Sequence, residues 1–526
     1  MNYLSSIKEE KSIYILLLIV SSFYFNSRAG FVGINPIDSF FTFNAGYNIL
    51  NGYFPFKDYW TITGPFVDFL QSIIFKVFGI SWASYVMQAS IFNFLITYLT
   101  FFTLSKFNLN IRYCFLYSLL VSLLAYPSSG TPYVDHQASY MSIISIYFFI
   151  LAIKTGNKIY WFLLPIILGI SFLTKQAPTG HIILIITLLS GIYFIFNFEI
   201  KKILFIIVGI LSFSLFFLAI LKLGEISFQS FINQYILFPL SIAENRLDFI
   251  FPIEIKRIFL RFKLIHLSYF ILIAAAIKCI IKNFKNVKNN EVLIIISLVA
   301  SAYALIAHQL MTINGMFIFF IIPILSGFSH VYYLKYFKKT KFFLYFLIIL
   351  SISSTLHYGS KYIVSRDFMD LRNVNLEKAI DAKTFSQKLS GLKWITPFYP
   401  NEPEKEIFLL KEAINYIDSD TRKKTIVTDY QFISVILSQY DYSPNKYWFS
   451  YHAHPDKSSK YFENYKKFFI NKLKKNEIKI IYVVKPLWGG NEVLETIVDS
   501  DCFVKNRVTE ILDTYLIKYC SDFIKY

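Results

Sequence analysis

The chain contains few cysteines, glycines, prolines and charged residues. It has four cysteines, 19 glycines and 16 prolines in 526 residues, and charged residues make up 16%. No zinc-type cysteine spacing, internal repeat or low-complexity linker stands out, which argues against a zinc module or a repeat array. A cleavable signal peptide is not evident, because the first apolar segment continues to about residue 27 without a small-residue cleavage site. We expect that segment to stay as an anchor.

What is abundant is apolar and aromatic sequence. Hydrophobic residues make up 55% of the chain and aromatic residues 19%, and the mean hydropathy is +0.49. Apolar runs near 20 residues are typical of helices that cross a hydrocarbon core about 30 Å thick. The sequence predicts a polytopic α-helical membrane protein with eleven spans, near 12–27, 82–104, 109–127, 138–153, 159–174, 178–198, 203–222, 264–281, 291–308, 312–334 and 342–358.

The run from Gly64 to Gly79 decides the topology, because counting it as a span would invert every later loop. Its apolar residues keep helical spacing, while Asp68, Gln71 and other polar residues fill the opposite face. We therefore predict an interfacial helix within a first outer loop, 28–81, that lies in the headgroup region.

Basic residues orient the predicted spans. On one side every short loop is basic, whereas several loops on the other side carry one basic residue or none, which places the amino terminus in the cytoplasm of a plasma (inner) membrane protein. The net charge of +18 then reflects orientation and anionic-lipid contact rather than nucleic-acid binding. The basic residues concerned are Lys8, Lys11, Lys106, Arg112, Lys154, Lys158, Lys201, Lys202, Lys278, Lys282, Lys285, Lys288, Lys335, Lys338, Lys339 and Lys341.

The last part of the chain differs in kind. We divide the sequence into a membrane module, 1–358, and a soluble domain, 359–526, in which charges are spread throughout. Runs at 425–428, 478–484 and 515–519 predict strands, and 404–418 and 460–475 predict amphipathic helices, which together indicate a small α/β domain. An odd number of spans places this domain outside the cytoplasm, where Cys502 and Cys520 could form a disulfide.

Carboxylates in the predicted outer loops are the first candidates for chemistry, since such groups at the edge of a bilayer are costly unless they pair or function. Asp38 follows the first span closely, Asp58 lies in the same loop, and Asp135-His136 opens the span after the next outer loop. Simpler explanations exist: Asp58 could terminate a turn, and Asp135 could cap its helix.

Cations for a lipid phosphate are the second class of candidates. Lys57 lies in the first loop, Lys175 ends an apolar span on the side where positive charge is scarce, and Arg246 lies in the long loop 223–258. Snorkelling is the alternative explanation for Lys175. Polar residues near a later outer turn, His308 and Asn314 among them, could bind sugar hydroxyls or simply form the turn.

Taken in order, these features resemble a known family. The first outer Asp, the stretch Gly-Tyr-Phe-Pro-Phe-Lys-Asp, a Gly-Pro-led helix ending in Phe-Gly, a second outer Asp and Phe-Leu-Thr-Lys are similar to the GT-C glycosyltransferases. Within these, the chain looks most like the branch of the dolichyl-phosphate-mannose protein mannosyltransferases and aminoarabinose transferases. The resemblance covers about 12–200 well and the remaining spans in outline.

The resemblance implies transfer of a sugar, with inversion, from a polyprenyl-phosphate carrier to an outer-face acceptor: an envelope glycan, a lipid or a protein. Asp38 matches the family's first-loop catalytic Asp, Asp135 matches its second acidic residue, and Lys175 matches a lysine frequent in its Leu-Thr-Lys segment. Two departures are Ser39, where many relatives have Glu, and Gly64, where the aminoarabinose branch has a basic residue. Lys57 and Arg246 are the candidates to replace that basic residue.

The expected mechanism uses Asp38 as the base that takes the acceptor's proton, with cations holding the departing phosphate. Two carboxylates sharing a divalent metal are an alternative. Two rival classes also stay open: a transporter or flippase of lipid-linked sugars, and a noncatalytic scaffold on the same fold. Transporters tend to have broken helices or internal repeats, and neither is apparent in the sequence.

Overall fold

The computed structural model describes residues 3–125, 130–250, 255–282, 290–312, 315–337, 341–449, 453–518 and 520–525. These residues are mainly helical. The α-helices are α1 (Tyr3–Gly30), α2 (Pro36–Ser39), α3 (Phe41–Leu50), α4 (Pro65–Phe78), α5 (Trp82–Lys106), α6 (Ile111–Leu124), α7 (Val134–Thr155), α8 (Lys158–Thr174), α9 (Gln176–Phe196), α10 (Ile200–Leu223), α11 (Phe228–Phe231), α12 (Phe238–Ile250), α13 (Ile255–Arg261), α14 (Lys263–Lys282), α15 (Asn290–Met311), α16 (Ile321–Tyr336), α17 (Phe342–Gly359), α18 (Pro403–Ser419), α19 (Ile433–Leu437), α20 (Phe462–Lys475), α21 (Val493–Ile497) and α22 (Ser521–Lys525).

The chain forms two compact units. We call the first the helical unit; it comprises Met1–Ala29, Ala89–Leu218 and Arg246–Arg366. The second, which we call the mixed unit, comprises Gly30–Gln88, Ala219–Asn245 and Asp367–Tyr526. In the helical unit α7 packs against α8, α9 and α15, while α16 packs against α6, α14 and α17.

Within the described residues, eight helices are long and apolar enough to cross a membrane, so the protein is a helical membrane protein. Three further helices match predicted spans but are shorter: α6, α8 and α16. The eight are Glu10–Gly30, Trp82–Lys106, Val134–Thr155, Gln176–Phe196, Ile200–Leu223, Lys263–Ile281, Asn290–Met311 and Phe342–Met369.

The predicted span 312–334 begins too early, since α16 starts only at Ile321. The backbone at Gly315 has φ +127°, which no helix accommodates. The Gln309 side chain also accepts hydrogen bonds from the amides of Gly315, Met316 and Phe317, each at 3.1 Å. These amides are therefore held in a turn instead of starting a helix.

The mixed unit contains a small sheet near the end of the chain. Strands β3 (Lys424–Thr428), β4 (Ile480–Val484), β6 (Leu512–Ile517) and β5 (Phe503–Arg507) lie in that spatial order, and β3 and β4 are parallel while the other pairs are antiparallel. A separate two-stranded ribbon joins β1 (Ile380–Asp381) to β2 (Lys393–Trp394). The three predicted strands and the two amphipathic helices are confirmed within a few residues.

Alternating side chains of the central strands enter two cores. Ile426 and Tyr482 face a core with Leu410 of α18, whereas Val427 and Ile481 face another that includes Phe469 of α20. The period of two in the strands and of about 3.6 in the helices thus produces a helix–sheet–helix layering.

The segment predicted to be the first outer loop, 28–81, contributes residues to the α18-side core. Phe40 lies against Trp82, Trp394 and Phe432, with ring centroids 4.9–6.0 Å apart. The sequence division at 358/359 assigned the first loop to the membrane module, whereas contacts in the folded chain join it to the residues after Asp367. Aromatic burial explains this grouping, since such rings each bury a large apolar area.

Helix α4, predicted to be interfacial, buries three of its polar side chains and exposes part of its apolar face. Asp68, Gln71 and Ser72 are buried, whereas Ile73 and Val77 are 57% and 66% exposed. Water would not favour that arrangement, but a lipid surface would. The orientation supports the prediction that α4 lies against lipid.

A disulfide joins Cys502 to Cys520, as the sequence allowed, with the Cα atoms 5.1 Å apart. It ties the entry of β5 to the segment after β6. The other two cysteines, Cys114 and Cys279, are buried and form no disulfide with each other.

Candidate functional site

The helical unit brings three of the predicted site residues together. Asp135 lies in the first turn of α7, where the amide dipoles of the helix favour a carboxylate. Its Oδ1 accepts a hydrogen bond from Lys175 Nζ at 2.6 Å and lies 3.4 Å from His308 Nε2. The side chain of His308 is fully buried, and those of Asp135 and Lys175 are 6% and 17% exposed. We call this group the Asp135 cluster.

Lys175 reaches Asp135 because α8 and α9 are interrupted there. Its backbone is extended (φ −162°, ψ 142°), and Ala177, which precedes Pro178, is also non-helical (φ −112°, ψ 137°). A residue before proline is disfavoured in the α region, so the sequence itself explains the break. The predicted spans 159–174 and 178–198 already left this interruption between them, and α8 and α9 match those spans within a few residues.

His308 is positioned by the turn that follows α15. The same Gln309 that holds the amides of that turn lies beside His308, with Nε2 3.3 Å from His308 Nδ1. The backbone at Gly315 passes close to the Arg261 guanidinium, and a Cβ at this glycine would lie 2.2 Å from Arg261 Nε. Arg261 is thus a cation beside this turn that sequence analysis missed. Asn314, a predicted sugar ligand, lies outside the described residues.

His136 has surroundings suited to packing. Its ring lies 4.6 Å from Phe317, 5.9 Å from Tyr140 and 6.1 Å from Tyr133. The imidazole is almost fully buried among these aromatic rings. A structural role is therefore the simpler explanation for this residue.

The chemistry of the Asp135 cluster follows from its charges. A buried ion pair gains little net stability, because desolvation offsets much of the attraction, but removing one partner leaves a costly buried charge. Lys175 also keeps further N–H donors when it bonds to Asp135. A phosphate oxygen could therefore take one donor while Asp135 holds the ammonium in place.

Asp38 belongs to the mixed unit and is partly buried. It lies in α2, a single turn that Pro36 begins, and its amide donates to the Asn35 carbonyl at 3.0 Å. Asn35 Nδ2 lies 3.4 Å from Asp370 Oδ2. With Phe40 fixed in the aromatic core two residues later, the Asp38 backbone is held from both sides.

Asp58 and Lys57 are engaged in local structure. Asp58 Oδ2 accepts from the Phe54 amide at 2.9 Å, and Oδ1 lies 3.3 Å from Lys472 Nζ. Lys57 pairs with Glu225 at 2.8 Å on a largely exposed surface. The turn-forming explanation for Asp58 is thus favoured. Arg246 falls in α12, but its side chain lies outside the described residues.

A second buried ion pair was missed by sequence analysis. Lys446 Nζ and Asp68 Oδ2 are 2.5 Å apart, and both side chains are at most 1% exposed. Burial raises the pKa of Asp68 to about 6 against the opposing effect of Lys446, and burial lowers the pKa of Lys446. The ammonium also lies over the rings of Phe41 and Tyr447, at 5.6 and 5.4 Å. The two partners are 378 residues apart, so no local pattern could have paired them.

A metal shared by two carboxylates stays a hypothesis. Over the described part of the chain, no three His, Cys, Asp or Glu side chains come close enough together to hold an ion.

Comparison with known proteins adds no family assignment: no protein-family model matches the chain, and no curated protein matches it.

Proposed function

We propose that this protein is an integral membrane glycosyltransferase that moves a sugar from a polyprenyl-phosphate donor to an acceptor on the outer face of the membrane. The observation that carries the proposal is the Asp135 cluster, in which Lys175, Asp135 and His308 meet where three helices end or break. Charged residues in such apolar surroundings are functional candidates by default. Two of these three residues, Asp135 and Lys175, belong to the series of motifs along the chain that resembles the GT-C enzymes.

The proposed reaction forms one bond and breaks one. An acceptor hydroxyl attacks the anomeric carbon, the bond from that carbon to the phosphate oxygen breaks, and the lipid phosphate leaves with the electron pair. In the mechanism that the GT-C resemblance implies, Asp38 takes the hydroxyl proton, and attack opposite the leaving group inverts the anomeric centre. Lys175 donates a charge-assisted hydrogen bond to the departing phosphate, and Asp135 orients Lys175.

The test compares cell-envelope glycans and polyprenyl-phosphate sugar pools by mass spectrometry. Cells lacking the protein are complemented with wild type, Asp38→Asn, Lys175→Met or the control Asp381→Asn, at matched membrane abundance. Asp381 is a half-exposed residue of the mixed unit that caps a short helix, a role that Asn fills equally well.

We expect wild type and Asp381→Asn to restore a glycan, and Asp38→Asn and Lys175→Met to reduce transfer about 10²- to 10⁴-fold while the lipid-linked sugar accumulates. Full restoration by Asp38→Asn would rule out this base. A glycan defect in which the lipid-linked sugar is stranded on the cytoplasmic face would favour a flippase instead.

A further inference from the structure

The mixed unit contains a polar cavity of about 280 Å³. Its walls come from two segments far apart in sequence. One is Phe238 to Glu244 in α12, and the other is His454 to Lys460, which precedes α20. The volume is close to the lower end of the range for small-molecule sites, about 300 Å³. It suits a ligand no larger than a single ring with substituents.

The walls offer several hydrogen-bonding groups. Glu244 and Asp456 are exposed carboxylates, and Lys460 adds a cation. Asp456 Oδ1 already accepts from the Ser458 hydroxyl at 2.6 Å, which fixes the carboxylate. Ser459 Oγ accepts from the Tyr461 amide at 3.2 Å, so its own O–H can donate elsewhere. Both donors and acceptors therefore line one small space.

His454 is the buried member of this wall. It is 3% exposed, its ring stacks on Tyr465 at 5.0 Å, and Nε2 has no hydrogen-bond partner among the described residues. Nδ1 lies 3.4 Å from the Pro455 carbonyl oxygen. Burial lowers the pKa of His454 to about 4, so the ring is neutral at pH 7.

An aromatic floor completes the cavity. Phe238 is buried against Trp60 and Tyr461, with ring centroids 5.9 and 6.1 Å apart. Sugar rings combine hydroxyls, which bond to carboxylates and imidazole, with apolar C–H faces, which pack on aromatic rings. A divalent cation fits less well, since Glu244, His454 and Asp456 do not converge as a set of ligands in the described structure.

We propose that this cavity is a saccharide subsite that holds one sugar ring of the acceptor glycan. The acceptor role rests on the proposed transferase function; binding of a sugar ring does not. Glu244 and Asp456 accept hydrogen bonds from hydroxyls, Lys460 donates to a ring or hydroxyl oxygen, and the buried His454 ring forms part of the wall.

Saturation-transfer NMR on the full-length protein in nanodiscs tests the subsite. The probes are methyl glycosides of a hexose, an N-acetylhexosamine and a pentose at millimolar concentration. The variants are Glu244→Gln, Ser459→Ala and His454→Ala, and the control is Trp488→Ala, which removes an exposed aromatic side chain elsewhere in the mixed unit. Glu244 and Ser459 are accessible positions, so their variants keep the test valid where His454→Ala fails to fold.

We expect at least one glycoside to bind, Glu244→Gln to weaken it about tenfold, Ser459→Ala to weaken it several-fold, and Trp488→Ala to leave it unchanged. Absence of binding by every glycoside, equal binding by all variants, or saturable binding of Mg²⁺ or Ca²⁺ with no glycoside bound would refute the subsite. If glycosides bind in this pattern but no transfer occurs, the subsite stands and the transferase proposal fails. If transfer occurs and the variants leave the acceptor KM unchanged, the transferase proposal stands and the subsite fails.

Discussion

The buried carboxyl of Glu406 makes the stability of the mixed unit depend on pH. Its oxygens accept hydrogen bonds from Trp394 Nε1 at 2.9 Å, Thr396 Oγ1 at 2.9 and 3.0 Å, and Tyr430 OH at 2.7 Å. Burial still outweighs these bonds and raises the pKa of Glu406 from 4.5 to about 7. The folded state therefore holds a proton that the unfolded state releases at lower pH.

Because the folded state binds this proton more tightly than the unfolded state, the free energy of unfolding depends on pH. A raised pKa in the folded state gives stability that is fully present below pH 4.5 and is lost as pH rises through 7. The rise from 4.5 to about 7 corresponds to about 3 kcal/mol in the free energy of unfolding, at about 1.4 kcal/mol per pH unit. Asp441, with a pKa raised by burial to about 7, acts in the same direction.

Glu406→Gln removes this contribution while keeping the shape of the side chain. We expect wild type and Glu406→Gln to unfold at similar temperatures at pH 5, and the variant to gain several degrees over wild type at pH 8. Differential scanning fluorimetry of the full chain in nanodiscs measures this. Glu404→Gln, at an exposed position on the same helix, is the matched control and should follow wild type. Parallel pH curves for wild type and Glu406→Gln would refute the reasoning.

Two further predictions concern the stability of the mixed unit. Lys446→Met should destabilise it by about 3–5 kcal/mol, because Asp68 would be left as an unpaired buried charge. The double variant Lys446→Met, Asp68→Leu should recover much of this loss. Equal Tm values for the single and double variants would contradict the prediction. Replacing Cys502 and Cys520 by Ser should lower the free energy of unfolding by about 3 kcal/mol, since the disulfide closes a short loop between residues 18 apart in sequence. Urea unfolding of the full chain measures the loss, and Cys114→Ser, at a cysteine outside the disulfide, is the control.

Much of the membrane architecture could be predicted from the sequence. Apolar runs near 20 residues specify spans through their length alone, and the eight long helices lie where those runs occur. The strand near 480 and the helix near 404 were predictable for a similar reason, because periodicity is a local property. The predicted span 312–334 began too early because the Gln309 side chain accepts hydrogen bonds from the backbone amides near Gly315, which periodicity does not reveal.

Within the candidate site, the sequence identified Asp135, Lys175 and His308 as separate candidates by their residue types in apolar surroundings. Only the tertiary structure decided that all three meet at one carboxylate oxygen, because positions 40 and 173 residues apart become neighbours through helix packing. The same holds for Lys446 with Asp68. Composition and periodicity determine which segments enter the membrane or form strands, whereas pairings between distant charges depend on how those segments pack, and no local pattern encodes that.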